Sequence, residues 1–264
     1  MSENLDCYLK QLRLEKDAIN VNELLRELSD QALEKSDPRE IVCKVLADIY
    51  QCRQNKKVAT WLTTAGFPRL FSGKEFDINK GNIPASQAER FLKCDWIDRG
   101  ENLLIYGATG LGKTHFSVAL GKQAIAMGYR TKFTSATKLF DTLESSLALS
   151  PRVFDRKLQH LDSQNLLIID DMGNGTYPLE SSNFLYMIMD RRHQRGLSTI
   201  ITSNTQVADW GERLGKAGNL RAALDRFLEM AYKVPFEGDS LRIKAFIERN
   251  GITTQHDVSD VMPV

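Results

Sequence analysis

The chain has 264 residues, 42% hydrophobic and 26% charged, with a formal net charge of +1. This is the composition of a soluble globular protein with room for one large or two small domains. It excludes a fibrous or low-complexity chain and gives no global basic signal for nucleic acid, so any such surface must be a local patch. Cys7, Cys43, Cys52 and Cys94 are scattered, with no C-x-x-C pair and no Cys/His cluster, which fits reduced structural thiols better than a metal site. The first residues carry early acids and lack the apolar core of a signal peptide. No run approaches the ~20 apolar residues of a membrane span, so a cytoplasmic protein with no membrane partner is expected.

Residues 1–66 read as a small helical domain. Leu5, Leu9, Leu12 and Leu14, then Leu24, Leu25 and Leu28, recur at amphipathic-helix spacing. Asp37-Pro38 has the form of a helix start, with Asp as N-cap and Pro as first helical residue. Ile41, Val45, Leu46 and Ile49 give that helix its apolar face. It is expected to end in a basic stretch, Arg53, Lys56 and Lys57, before Trp61. That stretch is either a solvated helix face or a patch for DNA phosphates. Residues 67–85 hold a Gly/Pro cluster and read as a linker.

From 86 to 252, strands alternate with helices, which predicts an α/β domain around a parallel sheet. Ala85 to Asp98 is expected to be one helix and Leu103 to Tyr106 the first strand. Next comes GATGLGKT, in which Gly107, Gly112, Lys113 and Thr114 satisfy the P-loop pattern. Glycines let backbone N–H groups close around phosphate oxygens, and the following helix points its positive end at them. Lys113 would reach the β- and γ-phosphates, and the Thr114 hydroxyl would ligate Mg²⁺. A second strand, Thr131 to Thr134, leads to a helix capped by Ser135. Ser150-Pro151 opens another, with Val153, Phe154, Leu158 and Leu161 on its apolar side.

Asn165 to Asp171 reads NLLIIDD, an apolar run suited to a strand buried on both faces and ending in two acids. Downstream of a P-loop this matches Walker B. Asp170 would hold Mg²⁺ and Asp171 would orient or deprotonate the attacking water. The plainer reading is a buried strand capped by two solvated acids. After a helix over 179–194, Ser198 to Thr202 is the fourth strand, with Asn204 just past its tip. Where such a strand lies between the P-loop and Walker B strands, Asn204 would stand beside the γ-phosphate; asparagine is equally a turn residue. A helix over 219–230, a strand over 232–236, a charged segment GDSLRIKAFIERNG and a loose tail over 253–264 complete the reading.

Several stretches together resemble a known family. LKQLRL, AGFPRLFSGKEFD, GENLLIYGATGLGKTHFSVALG, LLIIDDMG, RGLSTIITSN, DWGERLG and LRAALDRFLEMAYKVPFEGDSLRIK are similar to the IstB-type transposition helper ATPases, relatives of the DnaC/DnaI helicase loaders in the initiator-type AAA+ group. The resemblance implies an AAA+ P-loop fold with a central parallel five-stranded sheet behind a small all-helical domain. It implies an ATPase using ATP and Mg²⁺. The nucleotide would be held by the loop Gly107, Ala108, Thr109, Gly110, Leu111, Gly112, Lys113, Thr114 and His115. Arg242 aligns with a sensor arginine contacting the γ-phosphate in the same chain, and Arg226 with an arginine reaching a neighbouring subunit's ATP. Lys113, Asp171, Asn204 and Arg226 form the implied catalytic set, and Thr114 and Asp170 the metal pair.

The implied partners are duplex DNA, further copies of the chain in a ring or helical assembly, and the transposase of the same insertion sequence. Candidate DNA contacts are Arg53, Lys56 and Lys57 and, on the helix before Walker B, Arg152, Arg156 and Lys157. Two positions depart from the family: Asp171 stands where many relatives have Glu, and Leu241 replaces the usual Tyr before Arg242. A helicase loader that binds a replicative helicase through residues 1–65 and prefers single strands is the rival reading. A small-molecule P-loop transferase is a third, without any visible acceptor signature.

Overall fold

The computed structural model describes residues 38–71, 73, 75–78, 82–214 and 219–250. The leucine-spaced helices expected before Pro38 and the tail expected after 252 lie outside the described residues. The chain divides into two compact units, Met1–Thr60 and Trp61–Val264.

Five parallel strands build the second unit: β1 (Asn102–Tyr106), β2 (Thr131–Ser135), β3 (Leu166–Met172), β4 (Ser198–Ser203) and β5 (Ala231–Pro235). Their spatial order is β2-β3-β4-β1-β5, so β4 lies between the P-loop strand and the Walker B strand, as the Asn204 reading required. Alternation along each strand separates two cores. Leu104, Leu167, Ile169 and Ile201 face one core with Phe140, Phe154, Phe184, Trp210 and Phe227. Leu103, Ile105, Ile168 and Ile200 face the other with Phe91, Trp96, Phe116 and Phe236. Helices cover both faces, which is why the strands read as continuous apolar runs.

The helices of this unit are α2 (Ala85–Leu92), α3 (Asp95–Asp98), α4 (Lys113–Ala126), α5 (Ala136–Leu149), α6 (Pro151–Asp162), α7 (Ser181–Gln194), α8 (Trp210–Leu214), α9 (Asn219–Glu229) and α10 (Leu241–Asn250). Ser135 and Ser150 cap α5 and α6 as expected, accepting from the Lys138 and Val153 N–H groups at 3.3 Å each. The single helix expected over 85–98 is two, because Cys94 takes φ +58 between them. Cys94 is fully buried, and burial first, then the charge of Asp95, pushes its thiol up to about 12. The charged segment after β5, for which no element is expected from the sequence, is a further helix, α10.

α1 (Pro38–Thr64) starts at the proline read as its first residue and carries Arg53, Lys56 and Lys57 on exposed positions. It does not end before Trp61. Residues 58–64 contain no breaker, and the first comes at Gly66, with φ +88. The segment expected as a linker is part of the second unit, which begins at Trp61, not after residue 66. The Ala65 carbonyl accepts the Phe133 N–H of β2 at 2.8 Å. Phe67, Phe71, Phe76 and Ile78 pack on the core that holds Phe116. Four large apolar side chains in water would each forgo about 1.5–3 kcal/mol of burial, so a Gly/Pro-rich composition did not make this stretch a free tether.

Candidate nucleotide site

The carboxyl ends of β1, β3 and β4 open on a cleft of about 670 Å³. The P-loop forms its floor. Gly107 has φ +146, and a Cβ there would lie 2.2 Å from the Phe236 carbonyl oxygen. Only glycine permits that approach. Gly112 has φ +96 and ends the loop where α4 begins, which directs the amide end of the helix at the cleft.

Lys113 is 9% exposed. Its Nζ donates to the Gly107 and Ala108 carbonyl oxygens, each at 2.7 Å. Burial pulls its pKa down; Asp171 and Asp170 oppose this, and the Arg242 charge adds to it. Thr114 Oγ1 lies 2.9 and 3.1 Å from the two carboxylate oxygens of Asp170. Burial pushes the Asp170 carboxyl up, while hydrogen bonds from Thr202 and Thr114 work against that shift. Asn204 Nδ2 donates to Thr109 Oγ1 at 3.2 Å. Thr109, Gly110, Lys113, Thr114, His115, Asp170, Asp171, Asn204 and Arg242 therefore share one cavity, although they come from four separate stretches of chain.

Two loop residues contribute differently from their neighbours. The Leu111 side chain is 3% exposed and points into the core, leaving only its backbone to the loop. The His115 ring stacks on Phe71 at 4.9 Å and meets the edge of Phe76 at 5.4 Å, so the segment expected as a linker forms a wall of the cleft. Arg242 reaches the cavity from α10. The Leu241 N–H donates to the Gly110 carbonyl at 3.0 Å, which ties the start of α10 to the P-loop. Leu241 itself lines the cleft.

Asp171 is held in the left-handed region, φ +61. Its N–H donates to Thr202 Oγ1 at 2.9 Å. Its carbonyl accepts from the Tyr177 hydroxyl at 3.3 Å. Asn174 Nδ2 donates to its carboxylate at 3.3 Å. Tyr177 and Asn174 belong to no motif, Thr202 lies within RGLSTIITSN without a role that its position announces, and the sequence reading missed all three. The one signal for Thr202 was the register that aligns IIDD with IITSN across neighbouring strands.

Arg226 is not in this cleft. It lines a separate cavity of about 240 Å³ with Asn102 and Thr199, at the amino ends of β1 and β4 and so at the opposite end of the sheet. Its Nε donates to Asp190 at 2.7 Å, and its guanidinium lies 4.9 Å from the Tyr186 ring centroid. Arg152, Arg156 and Lys157 lie exposed on α6, away from its buried Phe154, Leu158 and Leu161. Among the described residues no helix is long and apolar enough to cross a membrane.

The sequence profile described as IstB-like ATP binding protein matches residues 7–248. The chain belongs to the IstB-like ATP-binding protein family. This IstB-like protein is 29% identical over 241 residues to the ATP-binding protein of insertion sequence IS21 from Pseudomonas aeruginosa, covering 91% of this chain and 89% of that one. It is 30% identical over 193 residues to the ATP-binding protein of insertion sequence IS5376 from Geobacillus stearothermophilus, covering 73% and 76%. Among solved structures, DnaI matches with a TM-score of 0.53 at 19% identity, covering 66% of this chain and 94% of that one. The DnaC helicase loader matches with a TM-score of 0.50 at 22% identity, covering 58% and 88%. These likenesses establish the AAA+ fold.

Proposed function

We propose that this IstB-like protein is an ATPase of an insertion sequence. ATP binding would drive its assembly on duplex DNA, and the assembly would help a partner transposase use that DNA as target. The observation that carries the enzymatic part is the convergence of the Thr114 hydroxyl with the Asp170 carboxylate beside Lys113 and Asp171. A hydroxyl and one carboxylate at a P-loop are the donor set for Mg²⁺, which takes its other ligands from phosphate and water. Bound there, the ion would neutralise charge developing on the phosphates.

The chain's own residues would do the rest. Amides of the P-loop and the α4 terminus cradle the phosphates. Lys113 exchanges its two loop carbonyls for phosphate oxygens. Asp171 orients the attacking water and takes up its proton, with Asn204 holding the water from the β4 side. Arg242 supplies positive charge at the γ-phosphate from the same chain. Arg226 would serve the site of a neighbouring copy, exchanging its bond to Asp190 for that phosphate. Its distance from its own P-loop supports this division of labour.

The transposition context is supported by the relatives, which are ATP-binding proteins of insertion sequences. DNA would be gripped through phosphates by Arg152, Arg156 and Lys157 on α6 and by Arg53, Lys56 and Lys57 on α1. The test is duplex binding with and without ATP, over a range of salt. Wild-type protein should bind only with ATP, with an affinity that falls steeply as salt rises. Lys113→Ala should lose ATP binding and DNA binding together. Duplex binding by Lys113→Ala at wild-type affinity would refute ATP-driven assembly.

A further inference from the structure

We propose that Thr202 is a positioning residue whose single hydroxyl sets both acids of the β3 end, Asp170 through its side chain and Asp171 through its backbone. The inference rests on the reading of Asp171 as the acid that handles the attacking water.

The geometry begins with a mismatch between strands. Ile169 on β3 pairs with Ile201 on β4, but the next pair is Met172 with Ser203. Two residues of β3, Asp170 and Asp171, therefore stand opposite one residue of β4, Thr202. This is the two-against-one count of a β-bulge. In a regular strand, adjacent side chains point to opposite faces, and only one of two neighbouring acids could serve a given site. Here both carboxylates line the same cleft. The bulge re-aims Asp171 by holding its backbone at φ +61, left-handed backbone that Asp tolerates better than most residues with a Cβ but that local bonds must still restrain.

Thr202 supplies that restraint. It is 1% exposed, and a hydroxyl has one proton and two lone pairs. The proton goes to Asp170 Oδ1 at 2.5 Å. A lone pair takes the Asp171 N–H, at 2.9 Å, which the bulge has removed from the strand ladder. The other side of the Asp171 residue is held as well. The Tyr177 hydroxyl donates to its carbonyl at 3.3 Å and accepts the Gly173 N–H at 2.9 Å. Thr202 lies on the cleft wall, but its hydroxyl is taken up by the two acids, and it acts through them. Valine has the same shape without the hydroxyl, and serine keeps the hydroxyl with less bulk.

The test compares Thr202→Val and Thr202→Ser with wild type and with Asp171→Asn. Two quantities are read: steady-state ATP turnover, and amide hydrogen exchange at Asp171 in protein without added nucleotide. Thr202→Val should lower kcat by about 10- to 100-fold, as loss of a group that orients a ligand does. Its KM for ATP should stay near the wild-type value, and the Asp171 amide should exchange faster. Thr202→Ser should restore both readouts. Tyr177→Phe, a separate route to the same restraint, should speed exchange at Gly173 and lower kcat in the same sense. If Thr202→Val keeps the wild-type kcat and slow Asp171 exchange while Asp171→Asn has lost turnover, the inference falls and the role of Asp171 stands. Lost turnover with unchanged Asp171 exchange also overturns it. If Asp171→Asn itself turns over at the wild-type rate, the hydrolytic reading fails and takes this inference with it.

Discussion

At the scale of single residues, the cleft is an arrangement of charge. A buried lysine, two acids and an arginine face one space, and the Arg242 charge already weighs on Lys113. An anion bearing several charges would relieve that crowding, so Arg242 should contribute most when charge builds on the phosphates. Arg242→Ala is expected to keep ATP affinity within a few-fold and to lower kcat by about 10²-fold, the usual effect of removing one charge-stabilising donor. Single-turnover hydrolysis measures this directly; a wild-type rate would remove Arg242 from the site. Lys113, Thr114, Asp170 and Asp171 were legible in the sequence because backbone chemistry dictates their spelling. Thr202, Tyr177 and Asn174 were not. Their roles depend on a two-against-one strand register and a loop conformation, and neither leaves a periodic trace. The buried Arg192 was equally silent. It donates to the Leu161, Gln164, Asn165 and Ser198 carbonyls at the amino end of the sheet, yet in the sequence it is one cation in a polar helix turn.

At the scale of elements, the regular parts of the α/β domain followed from apolar runs and caps, and the misreadings share a cause. Composition marked 67–85 as a tether, but its aromatic residues are spent on tertiary contacts. Gly121 of α4 shows how closely the segment docks: a Cβ there would lie 2.8 Å from both Ile168 Cδ1 and Phe67 Cε1. Alanine at a helical glycine normally gains about 1 kcal/mol. Overpacking a filled contact costs about 1–3 kcal/mol. Gly121→Ala should therefore destabilise the protein by up to about 2 kcal/mol, read as a lower urea midpoint at unchanged m-value. A stabilised variant would mean that Phe67 gives way and that the segment is a tether after all. The break at Cys94 has the same origin. Nothing in ASQAERFLKCDWID announces a left-handed residue, and burying both Phe91 and Trp96 against the sheet is what the kink achieves.

At the scale of the whole molecule, the chain holds a nucleotide cleft at one end of its sheet and Arg226 at the other. Such a polarity suits head-to-tail packing, in which each copy offers its arginine end to the next copy's cleft, as a ring or an open spiral. Hydrolysis would then be a property of the assembly, and an arginine supplied by a neighbour is worth about 10³–10⁵ in rate in phosphoryl transfer. The decisive measurement is ATP turnover on duplex DNA by Lys113→Ala protein, by Arg226→Ala protein and by their mixture. Each variant alone should stay near the floor, the first for want of ATP and the second for want of its neighbour's arginine. The mixture should recover part of the wild-type rate, because Lys113→Ala copies still offer Arg226 to the intact clefts of their neighbours. A mixture no more active than its parts, or an Arg226→Ala protein that hydrolyses ATP at the wild-type rate alone, would contradict a site shared between copies.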